Sequence, residues 1–140
     1  MIHTVADILR VTHRPIVWVP PLDSVYDALK LMHEENVHSL LVQIDGYVVG
    51  IVSERDYVRK VIFNRQASRQ TKVSEIMTQE VITVTREDTV FHCIALMKRH
   101  QVRHLPVMDT GKAIGMVSLT DLFHLVLEDA ILEKSVAALQ

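Results

Sequence analysis

The sequence predicts an α/β fold, in the α+β sense, made of two copies of one β-α-β-β-α unit. Three observations carry that prediction. Sliding the 140-residue chain along itself by 65 places aligns Ile16–Val58 with Val81–Phe123 without a gap. Thirteen of those 43 positions are identical, where unrelated stretches of average composition would share about three. The four glycines fall as two pairs at the same spacing, Gly46 with Gly50 and Gly111 with Gly115. Finally, short branched apolar runs alternate with stretches whose apolar residues recur at helical spacing.

The elements follow in order. Val5-Ala6-Asp7-Ile8-Leu9 echoes Val73-Ser74-Glu75-Ile76-Met77 and predicts a short helical turn ahead of each copy. Ile16–Val19 and Val81–Val84 are short, apolar and β-branched, as strands are. Asp23 with Ser24, and Asp88 with Thr89, are residue types that start helices. Behind them Val25, Ala28, Leu29, Leu31 and Met32 recur at helical spacing, as do Val90, Cys93, Ile94, Leu96 and Met97. Ser39–Ile44 and Tyr47–Val52 are apolar runs joined at Asp45-Gly46, a strong hairpin signal. The second copy repeats this with Leu105–Met108, Asp109-Thr110-Gly111 and Ala113–Val117. A second helix is expected from about Ser53 and from about Ser118, with a C-terminal helix running to about Leu139. Three strands and two helices in one copy make a marginal core, so the two copies are expected to pack together.

Composition narrows the classes. Apolar residues make up 49% of the chain and aromatic residues only 5%, which calls for an aliphatic core. Cys93 is the single cysteine, so no disulfide scaffold is possible, and a lone thiol suits a reducing compartment. A net charge of −2 gives no bulk reason to expect nucleic acid or anionic lipid. No apolar stretch approaches the roughly 18 residues of a membrane span. The N-terminal residues show no basic leader followed by an apolar run. The expected location is therefore cytoplasmic.

The chemistry is expected at the hairpin exits, Gly50-Ile51-Val52-Ser53-Glu54-Arg55-Asp56 and Gly115-Met116-Val117-Ser118-Leu119-Thr120-Asp121. A glycine in a strand lets another group approach the backbone closely. A hydroxyl at a helix start sits beside free N–H groups that favour an anion. A carboxylate three residues on can accept hydrogen bonds from paired hydroxyls such as those of a ribose. Together these groups suit a nucleotide. Ser-x-x-Asp is also close to a capping box, in which the same side chains satisfy the helix's own amides. Recurrence in both copies strengthens the functional reading.

The duplicated unit, with Gly-apolar-x-Ser-x-x-Asp in each copy, resembles the tandem cystathionine-β-synthase (CBS) domain module. Val102-Arg103-His104-Leu105-Pro106-Val107 and Gly115–Asp121 match its second half closely. Val37-His38-Ser39-Leu40-Leu41-Val42 is a looser match, with Leu41 where proline is usual. The resemblance implies a pseudo-twofold pair of repeats and a regulatory binding module rather than a catalyst. Such modules take adenosine derivatives (AMP, ADP, ATP, sometimes NAD or S-adenosylmethionine) in clefts between the repeats. By position, Asp121 would hold a ribose and Ser118 and Thr120 would contact phosphate, with Arg103 and His104 facing the same phosphates. Ala28, Val37 and His38 would wall the adenine, and Met116 would line the cleft. The mirrored set is Ser53, Arg55 and Asp56, with Cys93 and Val102 opposite. Ile16 and Val81 would offer backbone contacts. The Asp121 side is expected to bind more tightly. It has Thr120 and the planar cation of Arg103, whereas Glu54 stands beside Arg55 and Ser39 replaces His104.

Other features read more plainly. Eight histidines are spread from His3 to His124 without a metal-ligand spacing, and His33, His92 and His100 are expected to be exposed. Cys93 lies on the apolar stripe of its helix, as a small core side chain would. Arg55, Arg59, Lys60, Arg65, Arg69 and Lys72 face only Asp56 along the connector and read as a solvated end. Lys60 or Arg65 could still lean over a bound phosphate. Trp18 is expected on the less buried face of its strand.

The expected division is a first repeat with its helical turn and connector over 1–70, and a second with the C-terminal helix over 71–140. The expected function is a non-enzymatic sensor of adenine nucleotides that signals to a separate, unidentified protein and forms a homodimer. Leu122, Phe123, Leu125, Val126, Ile131 and Leu132 give the C-terminal helix an apolar surface for that association. No phosphate loop, dinucleotide fingerprint, nucleophile–base pair or metal motif points to an enzyme. The rival expectation is a ligand-free assembly module in which Ser-x-x-Asp merely caps helices.

Overall fold

The computed structural model describes residues 3–12 and 15–138 of the chain. In order, the elements are α1 (Val5–Thr12), β1 (Trp18–Val19), α2 (Val25–Glu35), β2 (Ser39–Ile44), β3 (Tyr47–Ser53) and α3 (Glu54–Tyr57), which continues as one π-helical turn over Val58–Ile62. They continue with α4 (Val73–Ile76), α5 (Val90–His100), β4 (His104–Asp109), β5 (Lys112–Ser118) and α6 (Leu119–Ala138). Mixed α/β architecture in two small sheets is what the sequence predicts. Among the described residues no helix is long and apolar enough to cross a membrane.

The residues group into two compact units. One holds Ile16–Val81 with Thr110–Ala113; the other holds α1, Ile82–Asp109 and the chain from Ile114 onward. The leading helical turns are thus exchanged: α4 belongs with the first repeat and α1 with the second. The sequence reading expects a division at 70/71; packing groups the residues in this interleaved way. Matching hydrogen bonds hold both exchanges. Val73 N donates to Asp23 O at 2.8 Å and Ser74 N to Pro21 O at 2.9 Å. In the other unit Val5 N donates to Asp88 O at 2.8 Å and Ala6 N to Arg86 O at 3.0 Å.

In the first-repeat unit, β1 runs parallel to β2 and β2 antiparallel to β3, with Val42 opposite Gly50 and a bulge between Val42 and Gln43. The core consists of Val19, Val25, Ala28, Met32, Leu40, Val42, Val52, Val61, Val73 and Ile76. The other core is Val84, Val90, Cys93, Met97, Leu105, Val107, Val117, Leu122, Val5 and Ile8. These sets correspond position by position except for Val61 and Leu122. The π turn explains that exception: it carries Val61 inward, while Tyr57, the match of Leu122, is only partly buried against its core. Burying each such side chain is worth roughly 1.5–3 kcal/mol, so both cores rest on aliphatic packing.

Local chemistry fixes the ends of the elements. Ser24 Oγ accepts Asp27 N at 3.0 Å and Thr89 Oγ accepts His92 N at 3.1 Å, capping α2 and α5. Those helices end at Asn36 and Gln101, both left-handed at φ 54°. The hairpins turn through Asp45-Gly46 (φ 52° and 83°) and Thr110-Gly111 (φ 50° and 84°). Positive φ at both central residues suits the right-handed twist of the flanking strands.

One predicted strand is corrected. Val81–Val84 does not form a strand but a single parallel bridge, Val84 to Val107. In the first repeat Leu41 N donates to Val17 O at 3.2 Å, which extends the β1–β2 ladder. The matching residue is Pro106, which has no N–H to give. The expected second helix of the first repeat is also shorter than its counterpart, one turn of α-helix and one of π.

Candidate functional site

Each unit presents a corner where a hairpin strand turns into a helix. In the first-repeat unit Ser53 ends β3 and caps α3. Its amide donates to Asp56 Oδ2 at 2.9 Å and its hydroxyl to the same oxygen at 3.1 Å. Asp56 N returns a bond to Ser53 Oγ at 3.2 Å. Lys60 Nζ lies 3.3 Å from Asp56 Oδ1 and donates to the Ile76 carbonyl at 2.7 Å. Glu54 N donates to His38 O at 3.1 Å, and the two side chains pair, His38 Nδ1 lying 3.2 Å from Glu54 Oε2.

The corner of the second-repeat unit repeats the backbone. Ser118 N donates to Asp121 Oδ2 at 3.3 Å and Asp121 N to Ser118 Oγ at 3.1 Å. Leu119 N donates to Arg103 O at 2.9 Å, as Glu54 N does to His38 O. Both capping boxes are therefore real. Ser118 and Asp121 are buried, Asp121 at 8% exposure, while the Asp56 side chain is 16% exposed.

The remaining candidates fall into three groups. His38, Arg55, Arg103 and Thr120 are exposed, His38 in its pair with Glu54. Ile16, Val37, Ser53, Val81, Val102, His104 and Met116 are half-buried. Ala28 is 1% exposed inside the core, as is its match Cys93 at 0%. Burial pushes the Cys93 thiol up to about 11, with the Asp88 carboxylate adding to the shift, and the side chain packs in the core. Among the described residues no three His, Cys, Asp or Glu side chains gather to hold a metal.

The glycines that open each motif make room for protein. A Cβ on Gly50 would stand 2.7 Å from Met77 Sδ and 3.1 Å from the Thr78 carbonyl. On Gly115 it would stand 2.7 Å from Leu9 Cδ2. Met77 and Leu9 are the matched residues of the exchanged helical turns. Thr78 also bridges to Ile51, with Thr78 N to Ile51 O at 2.8 Å. Close approach was legible from the glycines; the approaching group was not. Sequence reasoning also left Lys60 to a phosphate. Its four-residue spacing from Asp56, the spacing of a helical ion pair, was the available signal.

Two matched units with the same glycine, capping serine and carboxylate define a tandem α/β repeat module. Comparison with known proteins gives it a family. The family model described as CBS domain matches residues 5–62 and 73–128. The chain belongs to the CBS-domain family. It is 42% identical over 118 residues to the CBS domain-containing protein CBSX3, mitochondrial, of Arabidopsis thaliana, covering 81% of this chain and 57% of that protein. It thus spans little more than half the length of that relative. A solved CBS-domain protein from Burkholderia ambifaria MC40-6 is 46% identical with a TM-score of 0.87, over 90% of this chain and 95% of that one. The CBS domain pair of protein MJ0100, solved with 5′-methylthioadenosine and S-adenosyl-L-methionine, is 26% identical with a TM-score of 0.81, over 92% and 99%.

Proposed function

We propose that this chain is a regulatory sensor that binds an adenine nucleotide (AMP, ADP, ATP or NAD) and passes its state to a separate protein. The observation that carries this is the recurrence of the glycine, Ser-x-x-Asp corner in register in both units. The adenosine compounds bound to the MJ0100 pair support the ligand class. Asp121 would accept the ribose hydroxyls, Ser118 and Thr120 would meet the phosphate, and Arg103 would supply its cation, with His104 and Met116 beside them. A ligand shifts such a module only by binding one of its conformations better than another.

The proposal includes a homodimer. Phe123, Val126, Leu127 and Ile131 of α6 are exposed and apolar, the Phe123 side chain at 61%. Leu122 instead lies in the core, and the Leu132 side chain lies outside the described residues. The proposed location is cytoplasmic, with the reducing setting suited to the lone thiol of Cys93.

A second reading, a ligand-free assembly module, is favoured by one fact: both carboxylates already serve their own helix caps. A thermal-shift panel of AMP, ADP, ATP, NAD and S-adenosylmethionine separates the two readings. Binding only to the folded state adds roughly 2.7 kcal/mol at a hundredfold excess over Kd. A shift with a panel member, or an adenine compound released on denaturing the purified protein, is the expected result. No shift and no released compound would leave the assembly reading.

A further inference from the structure

The helical turns that follow the two corners carry matched exposed stripes of different charge. Along α3, its π turn and the next residue, Arg55, Val58, Arg59, Ile62 and Phe63 are exposed. The matched positions on α6 are Thr120, Phe123, His124, Leu127 and Glu128, and all of these are exposed too. Large apolar side chains hold the same central places, Val58 with Phe123 and Ile62 with Leu127, and Ile131 continues the second stripe. Charge does not match. From Tyr57 to Ser74 the chain has five basic residues and no acidic one. From Leu119 to Ala138 it has four acidic residues against Lys134 alone. The acidic groups at the start of the first stripe are already paired, Glu54 with His38 and Asp56 with Lys60. On the second stripe Glu128 is an exposed carboxylate, one residue before Asp129, which pairs with His3.

We propose that these unlike stripes are the two sides of one interface between copies of this chain. The Arg55–Phe63 stripe of one copy seats on the Phe123–Ile131 face of a second copy. This rests on the homodimer reading above and names which surfaces meet. Apolar side chains supply contact area in any pairing, so charge decides between pairings. A twofold contact sets a patch against its own copy. Two first stripes brought together would gather Arg55 and Arg59 of both copies in one contact, with Glu54 already paired to His38. Excluding water from that contact strengthens the repulsion among the four guanidinium groups. Two α6 faces would likewise bring two Glu128 carboxylates into one contact. The mixed pairing avoids both. It keeps Val58 and Ile62 on Phe123 and Leu127, and it supplies a carboxylate, Glu128, to the arginine side.

Cysteine cross-linking of the full chain tests the pairing. Cys93 is fully buried, so a thiol introduced on either stripe is the one that a bis-maleimide reaches. Chains carrying Ile62→Cys and Leu127→Cys, with tags of different size, are treated singly and after co-expression. Cross-linked dimer carrying both tags is expected from the co-expressed pair, and little from either variant alone. Analytical ultracentrifugation of Arg59→Glu gives a second measurement. Mixed pairing predicts self-association weakened about tenfold, whereas like stripes meeting would make this change tighten it. Both substitution sites are exposed, and thermal melts confirm that each variant is folded. Cross-links within either variant alone, tighter association of Arg59→Glu, or a wild-type dimer that cross-links in no sample would overturn the pairing and leave the homodimer reading standing. A monomeric wild type would overturn both.

Discussion

The two repeats coincide in the parts that shape the backbone and part company where a solute or a neighbouring strand would be met. Both turn their hairpins through two left-handed residues, and both end the helix ahead of the hairpin, α2 or α5, in a left-handed cap. Both cores use matching side chains. Against that, Leu41 lends an amide to its parallel neighbour where Pro106 has none, and Lys60 neutralises a carboxylate where Leu125 packs inward. The comparison teaches that turn and cap geometry is kept in both copies, whereas the corner charges and the helical turn that carries them differ.

The largest effect that can strain this comparison is at the close-approach glycines. Gly50→Ala would drive a methyl into Met77 and into the Thr78 backbone carbonyl, which cannot swing aside. Gly115→Ala meets only the end of the Leu9 side chain. The first is expected to cost about 2–3 kcal/mol and the second about 1 kcal/mol, within the range for overpacking. Denaturant midpoints at constant slope check the order; a larger loss at Gly115 would show that the two corners are not built as described.

A smaller effect lies in the turns. Asp45 and Thr110 both hold positive φ, but threonine is β-branched and strained there. Thr110→Asn is expected to stabilise the protein by about 0.5–1 kcal/mol, and Asp45→Thr to destabilise it by a similar amount. Melting temperatures read both, and a loss at Thr110→Asn would contradict the assigned strain.

Most of the fold was legible because its signals are local. Asp45-Gly46 names its turn, Ser24 and Thr89 name helix starts, and the heptad-like run from Val25 to Met32 names a buried face. Long-range facts were harder. The echo of Val5–Leu9 in Val73–Met77 shows that two helical turns are alike, not which repeat each one packs against. Pro106 was visible throughout, yet its effect depends on an acceptor that only pairing brings opposite it. The candidate corners were found through their repetition. Their capping bonds and the Lys60 pair needed the structure, because a serine, a carboxylate and a lysine at helical spacing can serve a helix or a ligand equally well.

The central claim is the proposal that a phosphorylated nucleotide binds more tightly at the Asp121 corner than at its Asp56 twin. Both carboxylates cap a helix, so thermal melts first establish that Asp121→Ala and Asp56→Ala are folded. Titration calorimetry with AMP on these two variants is the most direct measurement. The account predicts a loss of at least tenfold for Asp121→Ala and a smaller loss for Asp56→Ala. Equal losses, or the greater loss at Asp56, would contradict it.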